Sequence, residues 1–250
     1  GDIQLIDSDD VTELPAINGG SADITLRADS EIISANYRYN SGTDAIADIT
    51  ANGNITLDAD QTPGEIGADP AATGFTPDTD PGALQITALA NTLVNIDDAP
   101  GGVWIEGIGG EVTLGTVAAT VGPIWLDVFE PAGFIRLTQN VSSSGQAIIF
   151  NKPVRVDESG ITVSTGAGSG DIDFTSTLDS QNGEGNDLTL TAGLGDVYFR
   201  GAVGRDGSGL SIASPEMGSI TVSSANNVSI NDGLTTLAGS SGTGAALTIT

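Results

Sequence analysis

Leu188-Thr189-Leu190-Thr191-Ala192-Gly193-Leu194-Gly195-Asp196-Val197-Tyr198-Phe199 carries the two signals that decide the fold. Its opening triplet alternates apolar, polar, apolar, which sends Leu188 and Leu190 to one side of a strand and Thr189 to the other. Eight residues after Leu188 the alternation resumes in Asp196-Val197-Tyr198-Phe199, and the glycines between the two runs mark a corner.

The triplet recurs along the chain. It is found at Ile24-Thr25-Leu26, Ile55-Thr56-Leu57, Ile86-Thr87-Ala88, Val112-Thr113-Leu114, Ile161-Thr162-Val163, Ile220-Thr221-Val222 and Leu247-Thr248-Ile249, with Ile135-Arg136-Leu137 filling the one gap. First positions lie 23 to 32 residues apart with a mean of about 28, a period that indicates a solenoid. A second run follows the triplet at Asp171-Ile172-Asp173-Phe174 and Asn227-Val228-Ser229-Ile230, and a third, Leu210-Ser211-Ile212, precedes one. Two or three short strands per period, joined by Gly, Ser and Asp corners, describe one coil of a parallel β-helix, with right-handed winding expected. Nine coils about 4.8 Å apart make a rod roughly 40 Å long. A β-sandwich also has short strands, but its connections do not repeat one triplet at near-constant spacing.

Residues 1–250 therefore read as a single β-solenoid segment, looser and loop-decorated in 1–110 and most regular in 111–250. Residues 83–99 fit a helical stripe (Ile86, Leu89, Ala90, Leu93) as well as strand alternation, and read as strand because the flanking periodicity is β. Residues 61–81, with four prolines, and 36–44 are the expected projecting loops. The triplet phase predicts inward first and third positions, and outward Thr25, Thr56, Thr113, Thr162, Thr189 and Thr221.

Composition narrows the chemistry. The chain has 250 residues, 7 basic against 33 acidic, net charge −26, 35 Gly and neither His nor Cys. Thiolate and imidazole catalysis, zinc sites of those ligands and disulfides are thereby excluded. Glycine is about double its usual ~7% share without a collagen period. Asp outnumbers Glu, which favours turns over helix. Carboxylate chemistry remains open: Asp97 with Asp98, or Asp171 with Asp173, are the candidate acid–base pairs. Asp171 and Asp173 also read as outward residues flanking a buried Ile172, and the few cations offer little to an anionic sugar. No catalytic residue is assigned.

Asp7, Asp9 and Asp10 form one acidic cluster and Asp78 and Asp80 another, the candidate calcium ligands, although the ordered nonapeptide of calcium-binding β-rolls is absent. Gly166-Ala167-Gly168-Ser169-Gly170 imitates a phosphate loop but leads into a strand, so it reads as a corner. Asn54, Asn140 and Asn227 lie in Asn-x-Ser/Thr sequons. Trp104, Trp125, Tyr37 and Tyr39 are candidates for stacking on sugar rings or for covering an apolar seam. The negative field disfavours nucleic acid and anionic bilayers, and neither a signal peptide nor a membrane span is legible. The chain opens in strand-like Ile3-Gln4-Leu5-Ile6 and closes in Leu247-Thr248-Ile249-Thr250, which reads as a piece of a longer array.

From Gly160 to Asp232 the chain resembles the giant repetitive bacterial surface proteins related to filamentous haemagglutinins. Ile161-Thr162-Val163-Ser164-Thr165-Gly166, Leu188-Thr189-Leu190-Thr191-Ala192-Gly193 and Phe199-Arg200-Gly201-Ala202-Val203-Gly204 carry the likeness. The resemblance implies an extracellular β-helical segment of a fibre, sheath or adhesin at the bacterial cell surface. Its expected partners are copies of itself or adjoining repeats, and cell-surface glycans. A carbohydrate-active β-helix enzyme or carbohydrate-binding module is the alternative.

Overall fold

A computed structural model describes residues 3–5, 17–29, 32–34, 49–59, 65–67, 83–88, 93–181, 184–204, 217–231 and 247–249. Every element there is a strand and every pairing is parallel, in two twelve-stranded sheets that wind as a β-solenoid of nine coils.

The first three coils are β1 (Ile3–Leu5), β2 (Ile17–Gly20) and β3 (Ile24–Ala28), then β4 (Ile32–Ser34), β5 (Ile49–Ala51) and β6 (Ile55–Ala59), then β7 (Glu65–Ile66), β8 (Leu84–Ala88) and β9 (Leu93–Asp98). Each places two strands in the first sheet and one in the second. The fourth coil has only two strands, β10 (Gly102–Gly107) and the nine-residue β11 (Glu111–Ala119). The later coils are β12 (Ile124–Val128), β13 (Phe134–Leu137) and β14 (Val141–Ser143); β15 (Ile148–Phe150), β16 (Val154–Val156) and β17 (Ile161–Ser164); and β18 (Ile172–Phe174), β19 (Leu178–Ser180) and β20 (Leu188–Thr191). After β21 (Val197–Phe199) and β22 (Ile220–Ser224), β23 (Val228–Ile230) and β24 (Leu247–Ile249) belong to the last coil. From β12 to β20 each coil places one strand in the first sheet and two in the second. The fourth coil is the seam: β10 pairs with both β7 and β8 below, while β11 pairs with both β13 and β14 above.

Sequence sets this stacking through identical inward positions. One column of the first sheet runs Ile3, Ile32, Ile66, Val103, Ile124, Ile148, Ile172, Val197, Val228, β-branched at every coil. β-Branched side chains have few χ1 choices, which suits the stacking of like residues one ladder step apart. From Ile32 to Val197 these residues are fully buried. A neighbouring column runs Leu84, Ile105, Leu126, Phe150, Phe174, Phe199. Its rings lie 4.9 and 5.6 Å apart and nearly parallel.

Residues 84–88 and 93–98 are strands, as the flanking periodicity indicates. Inward and outward phases also follow the alternation. Ile55, Leu57, Ile161, Val163, Leu188, Leu190, Ile220 and Val222 are buried, whereas Thr25 is exposed and Thr56, Thr162, Thr189 and Thr221 are half-buried. Thr113 is covered, but on the polar side, where its hydroxyl donates to Glu111 Oε1 at 2.9 Å.

Two expectations are corrected. The triplets do not share one column: Ile86 pairs in the first sheet with Ile49, Ile135 pairs with Val112 and Val154, and Ile161 pairs with Leu188. Alternation is common to every inward strand, so the triplet marks inwardness and not the face. Offsets between partners accordingly scatter around 28, from 19 residues (Ile135 to Val154) to 40 (Asp58 to Asp98). The expected loop 61–81 also contains a strand, β7, because Ile66 fills the column between Ile32 and Val103. Residues 61–64, 68–81, 36–44 and Leu210–Ile212 lie outside the described residues.

Candidate functional site

Outward strand positions carry the polar chemistry, and the solenoid sets each beside its equivalents one coil away. Asp171 and Asp173 flank buried Ile172 as the alternation requires. Asp173 takes a bidentate ion pair from Arg200 of the next coil, with Nε at 2.7 Å from Oδ1 and Nη2 at 2.6 Å from Oδ2. Asp171 Oδ1 accepts the Asp196 amide at 2.8 Å. Asp196 is the centre of this group: its carboxylate accepts from the Asn226 and Asn227 amides at 3.0 and 2.9 Å and from the Tyr198 hydroxyl at 2.9 Å.

These bonds tune the ionisation. The Asn227 amide first, then Asn226 and Tyr198, hold the Asp196 carboxyl below its ordinary value. Its hydrogen bond to Asp196 pushes the Tyr198 phenol up. The Arg200 guanidinium is held up by Asp173. A general acid working near neutral pH needs a carboxyl pushed up, so Asp196 is tuned in the opposite direction, as an ionised acceptor that ties its own coil to the next while its amide reaches back to Asp171. The other candidate pair is less joined: Asp98 Oδ1 accepts from the Thr120 hydroxyl at 3.3 Å, and Asp97 is exposed.

Four covered carboxylates, Asp58, Glu106, Asp127 and Asp179, were not singled out by sequence reasoning. Gln85, Glu106 and Asp127 occupy one ladder position in successive coils. Gln85 Nε2 donates to Glu106 at 2.8 Å, and Asn151 Nδ2 donates to Asp127 at 2.7 Å, with the Lys152 ammonium 3.9 Å away. Arg27 binds Asp58 at 2.6 Å. The signal was present in Val103-Trp104-Ile105-Glu106-Gly107 and Ile124-Trp125-Leu126-Asp127-Val128, where the acid occupies the same outward phase as Trp. On the second sheet, Arg136 donates to Glu111 at 3.0 Å, and the Arg155 guanidinium lies 3.9 Å from the Phe134 ring centroid.

Trp104 and Trp125 are register neighbours on the outside of the first sheet, Trp104 buried and Trp125 half-buried. Residues 165–170 form a corner between β17 and β18, in which the Thr165 hydroxyl donates to the Gly170 carbonyl at 2.8 Å. The sequon asparagines bridge coils: Asn54 Oδ1 accepts from the Leu93 amide at 3.2 Å and Asn140 Oδ1 from the Thr162 amide at 2.8 Å. The calcium candidates Asp7, Asp9, Asp10, Asp78 and Asp80, with Tyr37 and Tyr39, lie outside the described residues. Among the described residues, no group of three or more carboxylates converges as a metal site.

Comparison with known proteins finds no family model, no curated protein and no solved structure that matches this chain.

Proposed function

We propose that this chain is an extracellular structural protein: a β-helical segment of a bacterial surface fibre, sheath or adhesin whose coils stack end to end. One observation carries the reading. Polar side chains that could have served chemistry are spent between coils instead, with Asp173 on Arg200, Asp196 on Asn226 and Asn227, and Asp127 on Asn151. Stacking has a ready surface in the last coil. Ile230 and Ile249 occupy inward ladder positions beside Phe199 and Val222, yet are 37% and 57% exposed. Another coil, from a copy or an adjoining repeat, would cover them and extend the ladders by strand addition.

Electron microscopy of the purified protein over a range of concentrations tests this. Rods that lengthen in multiples of about 40 Å, at coil spacing of about 4.8 Å, are expected. Isolated particles at every concentration, together with release of sugar ends from a polysaccharide panel, would replace the structural reading with the carbohydrate-active one.

A further inference from the structure

Charge is distributed unevenly around the rod. Residues 112–126, 137–151, 159–170, 188–195 and 217–231 contain no Asp, Glu, Lys or Arg, in a chain with 33 acidic residues. These runs include one whole side of the later coils, β14, β17, β20 and β22 with the corner that follows each, together with β15 and β23 of the first sheet. The outward positions of that side are hydroxyls, Ser142, Ser164 and Thr191 in one column and Thr162, Thr189 and Thr221 in the next. The other two faces carry Asp127, Asp173 and Arg200, or Glu111, Arg136 and Asp179.

Two exposed aliphatics stand on the corner of the uncharged side, Leu194 at 74% and Val121 at 62%. The backbone under Leu194 is fixed, since its amide donates to the Gly168 carbonyl at 2.7 Å. Leu194 forms one wall of an open groove of about 340 Å³, whose other walls are Gly166, Ala167, Thr191, Gly193 and Ser224. The groove hydroxyls already have partners, Thr191 with Ser223 at 2.7 Å and Ser224 with the Gly193 carbonyl at 3.2 Å. What it offers is an apolar wall, better suited to an aliphatic side chain than to a sugar.

We propose that this side is the contact surface for a second copy of the chain, two rods lying side by side about a two-fold axis with Leu194 of each seated in the groove of the other. A two-fold interface must be self-complementary, and here a protruding side chain and an apolar recess share one patch. Electrostatics favours the same choice. Rods of net charge −26 repel, and in the later coils this side sets hydroxyl columns against each other, with Asp171 and Asp196 at its edge, where the other two faces would oppose charged rows. Residual repulsion falls off over a Debye length of about 10 Å at 0.1 M salt, so pairing strengthens as salt rises. The contact is independent of end-to-end stacking, because one thickens the rod and the other lengthens it.

Sedimentation velocity of the full chain at low and high sodium chloride reads the pairing. The mass should rise with concentration from 25.0 kDa toward twice that value, more readily in high salt. Leu194→Asp should stay monomeric, while Ala132→Asp, at the exposed corner between β12 and β13, should pair like the parent. Both positions are exposed, and far-UV circular dichroism verifies that each variant folds. Because the chain lacks Cys, mixing Leu194→Cys with Ala167→Cys should yield a mixed disulfide faster than either forms a disulfide alone. A monomer at every concentration and salt, or association that Leu194→Asp leaves intact, overturns the proposal. So does a monomer that binds an uncharged insoluble polysaccharide through Leu194, which would assign the side to sugar. Pairing without lengthening in the microscope would count against end-to-end stacking alone.

Discussion

At Leu190 the alternation of the sequence becomes a stability requirement. The side chain is fully buried between Val163 and Val222 of the adjoining coils. Leu190→Asp places an unpaired carboxyl there and should cost roughly 3–5 kcal/mol, read as a lower urea midpoint with the slope unchanged. Asp196 makes the complementary case outside the core. Its folded pKa is depressed below the ordinary 3.8, so its contribution is present above that pH and is lost as pH falls through the folded value. The melting temperature should therefore drop on acidification below about pH 4, and Asp196→Asn should flatten that part of the profile. Alternation made the direction of each side chain legible. It did not reveal partners: Asp196 meets Asn226 and Asn227 across 30 and 31 residues, and Arg200 meets Asp173 across 27, because corner length varies from coil to coil.

Among the elements, β15, β18 and β21 show what the period concealed. Each ends in Phe, at positions 150, 174 and 199, which stack inside the rod. Phe174 has a ring on both sides and no solvent exposure to speak of, so Phe174→Ala should cost about 3–5 kcal/mol and Phe174→Leu less than about 1.5 kcal/mol. Thermal melts of the two variants check the ordering. An Ile/Val-x-Phe run at intervals of 24 and 25 residues stood in the sequence, but the Thr-centred triplet was the more conspicuous repeat and drew its average from several faces at once. Element type was legible because Ile, Val and Thr dominate the runs. Face assignment was not, because it depends on corners whose residues carry no periodic mark. β7 is the extreme example, two residues held in place by the column position of Ile66.

For the whole molecule, net charge and architecture make separate demands. Thirty-three acidic side chains on a rod repel one another, so screening should raise the melting temperature as sodium chloride increases, with a further rise in calcium if the acidic clusters bind it. An unchanged midpoint at low and high sodium chloride, each with and without calcium, would remove both ideas. The seam at β10 and β11 has a different consequence, for how such a chain can grow or shrink. Coils on one side of it are interchangeable with each other, since their corners coincide, but not with coils from the other side. Excising residues 148–171 joins Ala147 to Ile172, sets Ile172 over Ile124 and leaves every column in phase, so the shortened rod should fold and melt somewhat lower. Excising residues 102–123 is almost the same length of chain, yet it would lay β9 against β13 and β14 with a corner where a flat strand is needed, and that variant should fail to fold. Gene duplication could thus lengthen either arm freely while the fourth coil stays single.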